Sequence, residues 1–198
     1  MDLAQLKDAI LTSEPEDFVK DHILNGHCKH FRQDQIDHIR QSVSQATGVN
    51  ILPEEVYVVG SAKLGYGLFK KNRRDRAALP AFREFNRDSD IDIAFTSAEL
   101  FDLVWDELSS FAVAQPWMPS RFGNLGDYLV YGWLRPDHFP REARLHRYDR
   151  WNDKIKSLGS DRFLDRRKIS GALYRNTEFI AKYQARGIKA CKNALEIL

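Results

Sequence analysis

The sequence predicts an α/β (α+β) chain, a mixed β-sheet flanked by helices, with helices at the N-terminus and another at the C-terminus. Two short β-branched runs, Val56-Tyr57-Val58-Val59 and Ile91-Asp92-Ile93-Ala94-Phe95, alternate with longer stretches whose apolar residues recur every three or four positions. Helix-opening signals follow the strand runs, as at Thr96 and Asn176. With 198 residues, 43% hydrophobic and 29% charged, the chain is long enough for a core that needs no disulfides, and too apolar for disorder.

Taken in order, Leu3, Leu6, Ile10 and Leu11 sit at helical spacing. Ser13 and Glu16 match a capping box around Pro15, which restarts the helix, and Phe18, Val19 and Ile23 continue an apolar stripe to about Gly26. A further helix runs from about Asp34, with Ile36, Ile39 and Val43 on one face, to Gly48 as its C-cap. Residues 1–50 thus form an N-terminal helical part. The first strand, 56–59, stops at Gly60, and residues 61–69, with Gly65 and Gly67, predict a turn leading into a short helix. Residues 70–87 read as an exposed loop or insertion. The second strand, 91–95, alternates around Asp92, and Thr96 with Glu99 predicts a capping box for a helix reaching about Phe111. Leu100, Phe101, Val104, Trp105 and Leu108 are its buried stripe.

Residues 128–134 fit a strand or a buried short helix, and 136–167 fit loops around one short helix. Lys168–Tyr174 predicts a third strand, and Asn176 caps a C-terminal helix carrying Phe179, Ile180, Tyr183, Ile188, Cys191 and Leu195. No repeat, low-complexity tract or linker interrupts the chain, so one domain over 1–198 is expected.

No apolar run approaches the ~18 residues of a membrane span, and the first eight residues carry acids where a secretion signal carries bases. Two cysteines, Cys28 and Cys191, make no disulfide framework. A cytoplasmic protein with no membrane partner is expected. The net charge of +2 hides a pattern: residues 1–59 carry −5, 63–87 carry +6, 88–134 carry −7, 135–168 carry +5 and 169–198 carry +3. An acidic segment that holds cations, flanked by basic segments that hold phosphates, produces this pattern; so do alternating solvated faces.

The residues that carry chemistry are Gly60-Ser61, at the end of the first strand, and Asp90-Ile91-Asp92 on the second. On a strand, i and i+2 share a face, so Asp90 and Asp92 project together while Ile91 and Ile93 point into the core. Two adjacent carboxylates repel and raise each other's pKa, a cost that a bound cation relieves. Mg²⁺ is usually held by one or two carboxylates together with substrate phosphates. Glycine lets a phosphate approach the backbone, and the turn's N–H groups and the Ser61 hydroxyl can donate to it.

This constellation resembles the nucleotidyltransferase superfamily of the DNA polymerase beta type, over residues 55–110 and more weakly over the strand at 168–174. The superfamily includes poly(A) polymerases, cyclic-dinucleotide synthases of bacterial defence and small nucleotidyltransferases of toxin–antitoxin pairs. The resemblance implies that Gly60 and Ser61 bind the phosphates of a nucleoside triphosphate, ATP or another NTP. It implies that Asp90 and Asp92 bind Mg²⁺ or Mn²⁺ and are catalytic. Lys63, two residues past Ser61, is a further candidate for a phosphate contact. The implied activity is transfer of a nucleoside monophosphate to an RNA 3′ end or a protein hydroxyl, in an antiphage-defence or toxin–antitoxin setting with a partner protein.

Two departures from the family pattern shape the expectations. Between Ser61 and Asp90 lie 28 residues, long for a small member, so residues 68–87 read as an insertion. It carries Lys70, Lys71, Arg73, Arg74, Arg76, Arg83 and Arg87 against Asp75 and Glu84. Within the basic segment 63–87 it is placed to guide RNA, tRNA or a triphosphate, or is a solvated loop. The family also adds a third carboxylate on a later strand, and the strand at 168–174 has none; Asp127 and Glu178 are the nominees. The alternatives are a catalytically inactive nucleotide-sensing or partner-binding module of the same fold, and a nucleic-acid-binding adaptor. His22, His27, Cys28, His30 and His38 lack the paired spacing of a zinc site, and residues 60–67 lack the Gly-Lys-Ser/Thr ending of a P-loop. Trp105 is expected in the core. Trp117, Trp133 and Trp151 are expected there too, with base stacking as the alternative.

Overall fold

The computed structural model describes residues 1–73, 76–115, 125–126, 129–134, 139–140 and 142–197. Helix α1 spans Leu3–Thr12, with Asp2 accepting from the Gln5 N–H at 2.9 Å. Helix α2, Pro15–Phe18, continues as π-helical Val19–Leu24. Its N-cap is Glu14, and the predicted Ser13–Glu16 capping box does not form. The residue before a proline is pushed out of the helical region, so Glu14 marks the boundary, and Ser13 instead closes α1 through its N–H to the Ala9 carbonyl. Helix α3, Gln33–Thr47, ends as expected at Gly48, whose φ of +73° is left-handed.

A 3₁₀ turn, Pro53–Glu55, leads into β1, Val56–Val59. The chain then enters α4, Gly60–Leu64, directly; the turn at Gly65 follows the short helix rather than preceding it. Beyond it, where the sequence predicts a turn leading into a short helix up to residue 69 and an exposed loop or insertion over 70–87, the described residues form a two-rung antiparallel arm. In it β2 (Tyr66–Gly67) pairs with β5 (Arg83–Glu84), and β3 (Lys71–Arg73) pairs with β4 (Arg76–Leu79). A solvated hairpin needs no apolar face, and lysines and arginines are the usual guards of exposed edges, so its sequence reads as loop.

Strand β6 is Ile91–Phe95. Helix α5 is Ala98–Val113, two residues longer than expected, and Ser97 caps it in place of Thr96. The Thr96 N–H continues the strand ladder to the Glu55 carbonyl at 2.9 Å, so the helix starts one residue later. Leu100, Phe101, Val104 and Leu108 are buried, whereas Trp105 is 38% exposed, against expectation: it sits on the edge of the apolar stripe. Residues 129–130 are helical and β7 is Trp133–Leu134. The run thus passes from helix to strand, with Val130 78% exposed rather than buried as the helical reading requires, while Tyr128 and Trp117 lie outside the described residues. Helix α6 is His146–Leu158, followed by a 3₁₀ turn, Arg162–Leu164. Strand β8 is Ile169–Tyr174, and α7 is Thr177–Glu196, capped by Asn176.

The four-stranded sheet has the order β1-β6-β8-β7, antiparallel, parallel, antiparallel. A parallel β6/β8 pair requires a crossover, which α5 and α6 supply. Alternation sends each strand's side chains to two separate cores. Val56, Val58, Ile91, Ile93, Phe95, Ile169 and Leu173 pack with α3, α5 and α6. Val59, Ala94 and Tyr174 pack with α1, α2 and α7. The result is a mixed α/β fold, its sheet flanked by the N- and C-terminal helices.

Trp151 of α6 is almost fully buried, edge-on to Phe95 at 6.0 Å, as expected for a core tryptophan. Its ring reaches the sheet because β8 offers Gly171: a Cβ there would lie 2.9 Å from Trp151 Cζ2 and 3.2 Å from Ile155 Cγ1. Gly171→Ala therefore overpacks this face. It should lower stability by about 1–3 kcal/mol, read as a lower midpoint of urea unfolding with the circular dichroism of the native state retained.

Candidate functional site

The register of β1 against β6 sets Val59 beside Asp92, so the chain's next residue, Gly60, arrives over the Asp92 carboxylate. A Cβ on Gly60 would stand 2.9 Å from Asp92 Oδ2, and Gly60 has φ +63°. Only glycine satisfies both demands without strain. Asp90, Asp92 and the residues of β8 that alternate with its core residues, Ser170, Ala172 and Tyr174, face the α1/α2/α7 side of the sheet. There Asp92, Ser170, Ala172 and Tyr174 border a cleft of about 530 Å³. Gly60, Ser61 and Asp92 line one part of it, Lys70, Lys71 and Arg83 of the arm another, and Phe69, Trp133, Tyr174 and Tyr183 a third.

The electrostatics are those of a crowded acid pair. Burial first and the neighbouring Asp90 second push the Asp92 carboxyl up, Lys71, Lys168 and Arg83 pull against both, and the balance lies at about 6. Asp90 is held by Lys168 Nζ at 2.9 Å, with Lys71 Nζ at 3.8 Å. Arg83 lies across β2, where Gly67 leaves room for its guanidinium, and donates to the Phe69 carbonyl at 2.8 Å. The aromatic wall is built on Trp133 stacked over Tyr174 with centroids 5.7 Å apart, and Tyr183 packs against both rings. Burial raises the Tyr174 phenol far above its ordinary range, so it stays neutral.

Four of the five candidate residues, Gly60, Ser61, Asp90 and Asp92, come together. Lys63 does not join them: its ammonium donates to the Gly26 carbonyl and lines a separate cavity of about 180 Å³ with His22, His27 and His30. Ser61 and Lys63 sit two apart on α4, and residues so spaced leave a helix on different sides. The histidine group gains no metal geometry; among the described residues no three His, Cys, Asp or Glu are placed to share an ion. Glu178 is on the surface, its side chain 81% exposed and 3.9 Å from Lys182, and does not line the cleft. Asp127 lies outside the described residues. Directly beside Asp92 on β8 stands Ser170, a hydroxyl, and β8 carries no carboxylate.

The sequence reading did not anticipate Lys168 as a partner of Asp90. Its only signal is the register of a parallel pair, Ile91 opposite Ile169, which sets residue 168 beside residue 90. Chemically, the site combines two carboxylates for a hard cation, a glycine-serine turn and three arm cations for phosphate, and a flat aromatic surface. No family model, curated protein or solved structure matches this chain.

The raised Asp92 carboxyl has a definite pH signature. Its ordinary value is 3.8 and its value in the fold about 6. The folded state therefore binds the proton more tightly, and stability falls as pH rises through this window. Asp92→Asn should be more stable than wild type at pH 7.5, by about 1–3 kcal/mol. The gain should shrink as pH falls through 6 and vanish near pH 4, measured by urea unfolding across that range.

Proposed function

We propose that the chain is a metal-dependent nucleotidyltransferase of the DNA polymerase beta type, which uses this cleft to move a nucleoside monophosphate from an NTP to a hydroxyl. The observation that carries the reading is the contact of Gly60 with Asp92 at the floor of a cleft walled by Lys70, Lys71 and Arg83. The sheet supports it as well, with the glycine-serine turn after one strand, the acid pair on its antiparallel neighbour and a parallel strand beyond. The donor set fits a hard divalent cation, because two carboxylates, one of them disfavoured as an anion by burial, gain from a shared positive charge. Mg²⁺ or Mn²⁺ held by Asp90 and Asp92 would supply charge neutralisation at the phosphate and the leaving oxygen.

The chain's own groups account for the rest. The backbone at Gly60 and the Ser61 hydroxyl donate to phosphate oxygens, and Lys70, Lys71 and Arg83 offset the charge of the polyphosphate. Phe69, Trp133 and Tyr183 offer rings for the base. The acceptor oxygen bonds to the α-phosphorus as the α–β anhydride bond breaks, pyrophosphate departs, and the hydroxyl proton passes to water or a carboxylate. Asp92, ionised above about pH 6, has an oxygen free to accept only at neutral pH and above.

A second reading is favoured by one specific observation. Lys168 already pairs with Asp90, and β8, the strand next to the acid pair, carries no third acid. These suit a module that binds nucleotide without turning it over. One experiment separates the two readings. The four α-³²P-labelled NTPs are offered in turn with Mg²⁺ or Mn²⁺, with tRNA and the protein itself as acceptors. Transferase activity predicts labelled RNA or protein, reduced at least ~10²-fold in Asp90→Ala/Asp92→Ala. NTP binding without any label would sink the transferase and leave the binding module.

A further inference from the structure

The N-terminal ends of β6 and β8 lie side by side, and a second basic feature gathers there. Arg87, Arg162, Arg166 and Arg167 surround a cavity of about 460 Å³ with Asp165 as the one acid among its lining residues. Guanidinium groups stay charged at any physiological pH, so four of them against Asp165, with Asp88 also near Arg167, leave a surplus of positive charge that an anion relieves. Arg87, Arg162 and Arg166 are exposed.

The cavity is built rather than incidental. Asp165 and Arg166 are consecutive non-glycine residues in the left-handed region, with φ of +56° and +52°. Three backbone bonds hold that turn: Asp165 N–H to Arg162 O at 3.1 Å, Arg166 N–H to Asp161 O at 2.9 Å and Arg167 N–H to Leu164 O at 3.2 Å. Asp161 is itself fixed by His38 at 2.8 Å. Arg167 then ties this turn to the loop before β6. Its guanidinium lies 4.4 Å from the centre of the Phe85 ring and donates to the carbonyls of Asn86 and Ser89. That staple sets Arg87 and Arg166 around one space.

The cavity and the cleft follow one another in the chain. The next residue after Arg167 is Lys168, on Asp90 at 2.9 Å, and Lys71 of the arm stands at 3.8 Å from the same carboxylate. Basic residues therefore succeed one another along the chain at Arg162, Arg166, Arg167 and Lys168, and Lys71 meets the last of them at Asp90. On the rim Phe163 exposes 42% of its surface, with the Arg32 guanidinium 5.8 Å from its ring centre.

We propose that this arginine cavity and its rim dock the phosphodiester backbone of a single-stranded nucleic acid whose end is led along Lys168 to Asp90. A lone anion can engage only one point of such a track, whereas a strand carries one phosphate per nucleotide and bases to stack on Phe163. The direction of the strand rests on the reading of the cleft as a transfer site; the docking itself does not.

The test is fluorescence anisotropy of the full chain with labelled 20-nucleotide single strands, RNA and DNA in separate arms, between 50 and 200 mM KCl. Arg162→Gln/Arg166→Gln should weaken binding about tenfold at 100 mM KCl and flatten the plot of log K against log salt by about 1.4, two contacts' worth for a single strand. Arg87→Gln, on the other loop, should weaken it independently, so a folding defect in one variant does not decide the outcome. Lys20→Gln/Lys189→Gln, which removes equal charge from exposed sites on other elements, should change little.

If the arginine variants behave like that control, the docking site is overturned. It is also overturned if inorganic phosphate competes as well as unlabelled strand at equal phosphate concentration. The RNA and DNA arms tell which sugar the site takes. Arginine-dependent binding without label transfer would sink the transferase reading alone, and transfer with arginine-independent binding would sink the docking alone.

Discussion

Two carboxylates on one face of a strand, with Asp92 driven into a partly dry environment, are the constraint around which the molecule is organised. An acid pair of this kind is a standing electrostatic cost. Its neighbours are arranged to contain it: Lys168 from the parallel strand, Lys71 and Arg83 from the arm, and a glycine close enough that no side chain comes between the turn and the acid. Each of these groups belongs to a different element, so the site exists only where the sheet register, the arm and the first core of the fold agree. The cost sits at the functional position, and the compensation is spread over the structure.

The division of the sheet into two faces makes this affordable. Toward α3, α5 and α6, the strands present an unbroken apolar surface closed by Trp151 against Gly171. Toward α1, α2 and α7, the same strands are apolar at one end and charged at the other, with Ala94, Ala172 and Tyr174 giving way to Asp92 and Asp90. One face supplies cohesion, which frees the edge of the other to hold groups that a core rejects.

The sequence carried the parts of this that are local. The two strands next to the site are legible because β-branched residues alternate and a glycine stops the first, and the shared direction of Asp90 and Asp92 follows from the period of a strand. Gly48 and Asn176 declare their caps for equally local reasons. What eluded the reading is non-local or energetically close. Thr96 and Ser97 are both good caps, and a hydrogen bond to Glu55, 41 residues back, decides between them. The arm has no apolar alternation to announce its strands. Lys63 looks like a neighbour of Ser61 until the helix turns it to the other side. Lys168 meets Asp90 across 78 residues, a pairing that only the register of a parallel sheet reveals.

That separation bears on the order in which the protein can assemble. The antiparallel pair β1/β6 joins segments close in the chain and can form early, whereas β8 joins the sheet only after α5 and α6 have been made and packed. During synthesis the acid pair and the basic arm precede the strand that brings Lys168, Ser170 and the arginine turn. A nascent chain therefore displays its carboxylates before it owns the wall that completes the cleft. Closure of the central parallel ladder is the event that completes the wall of the cleft beside the antiparallel pair.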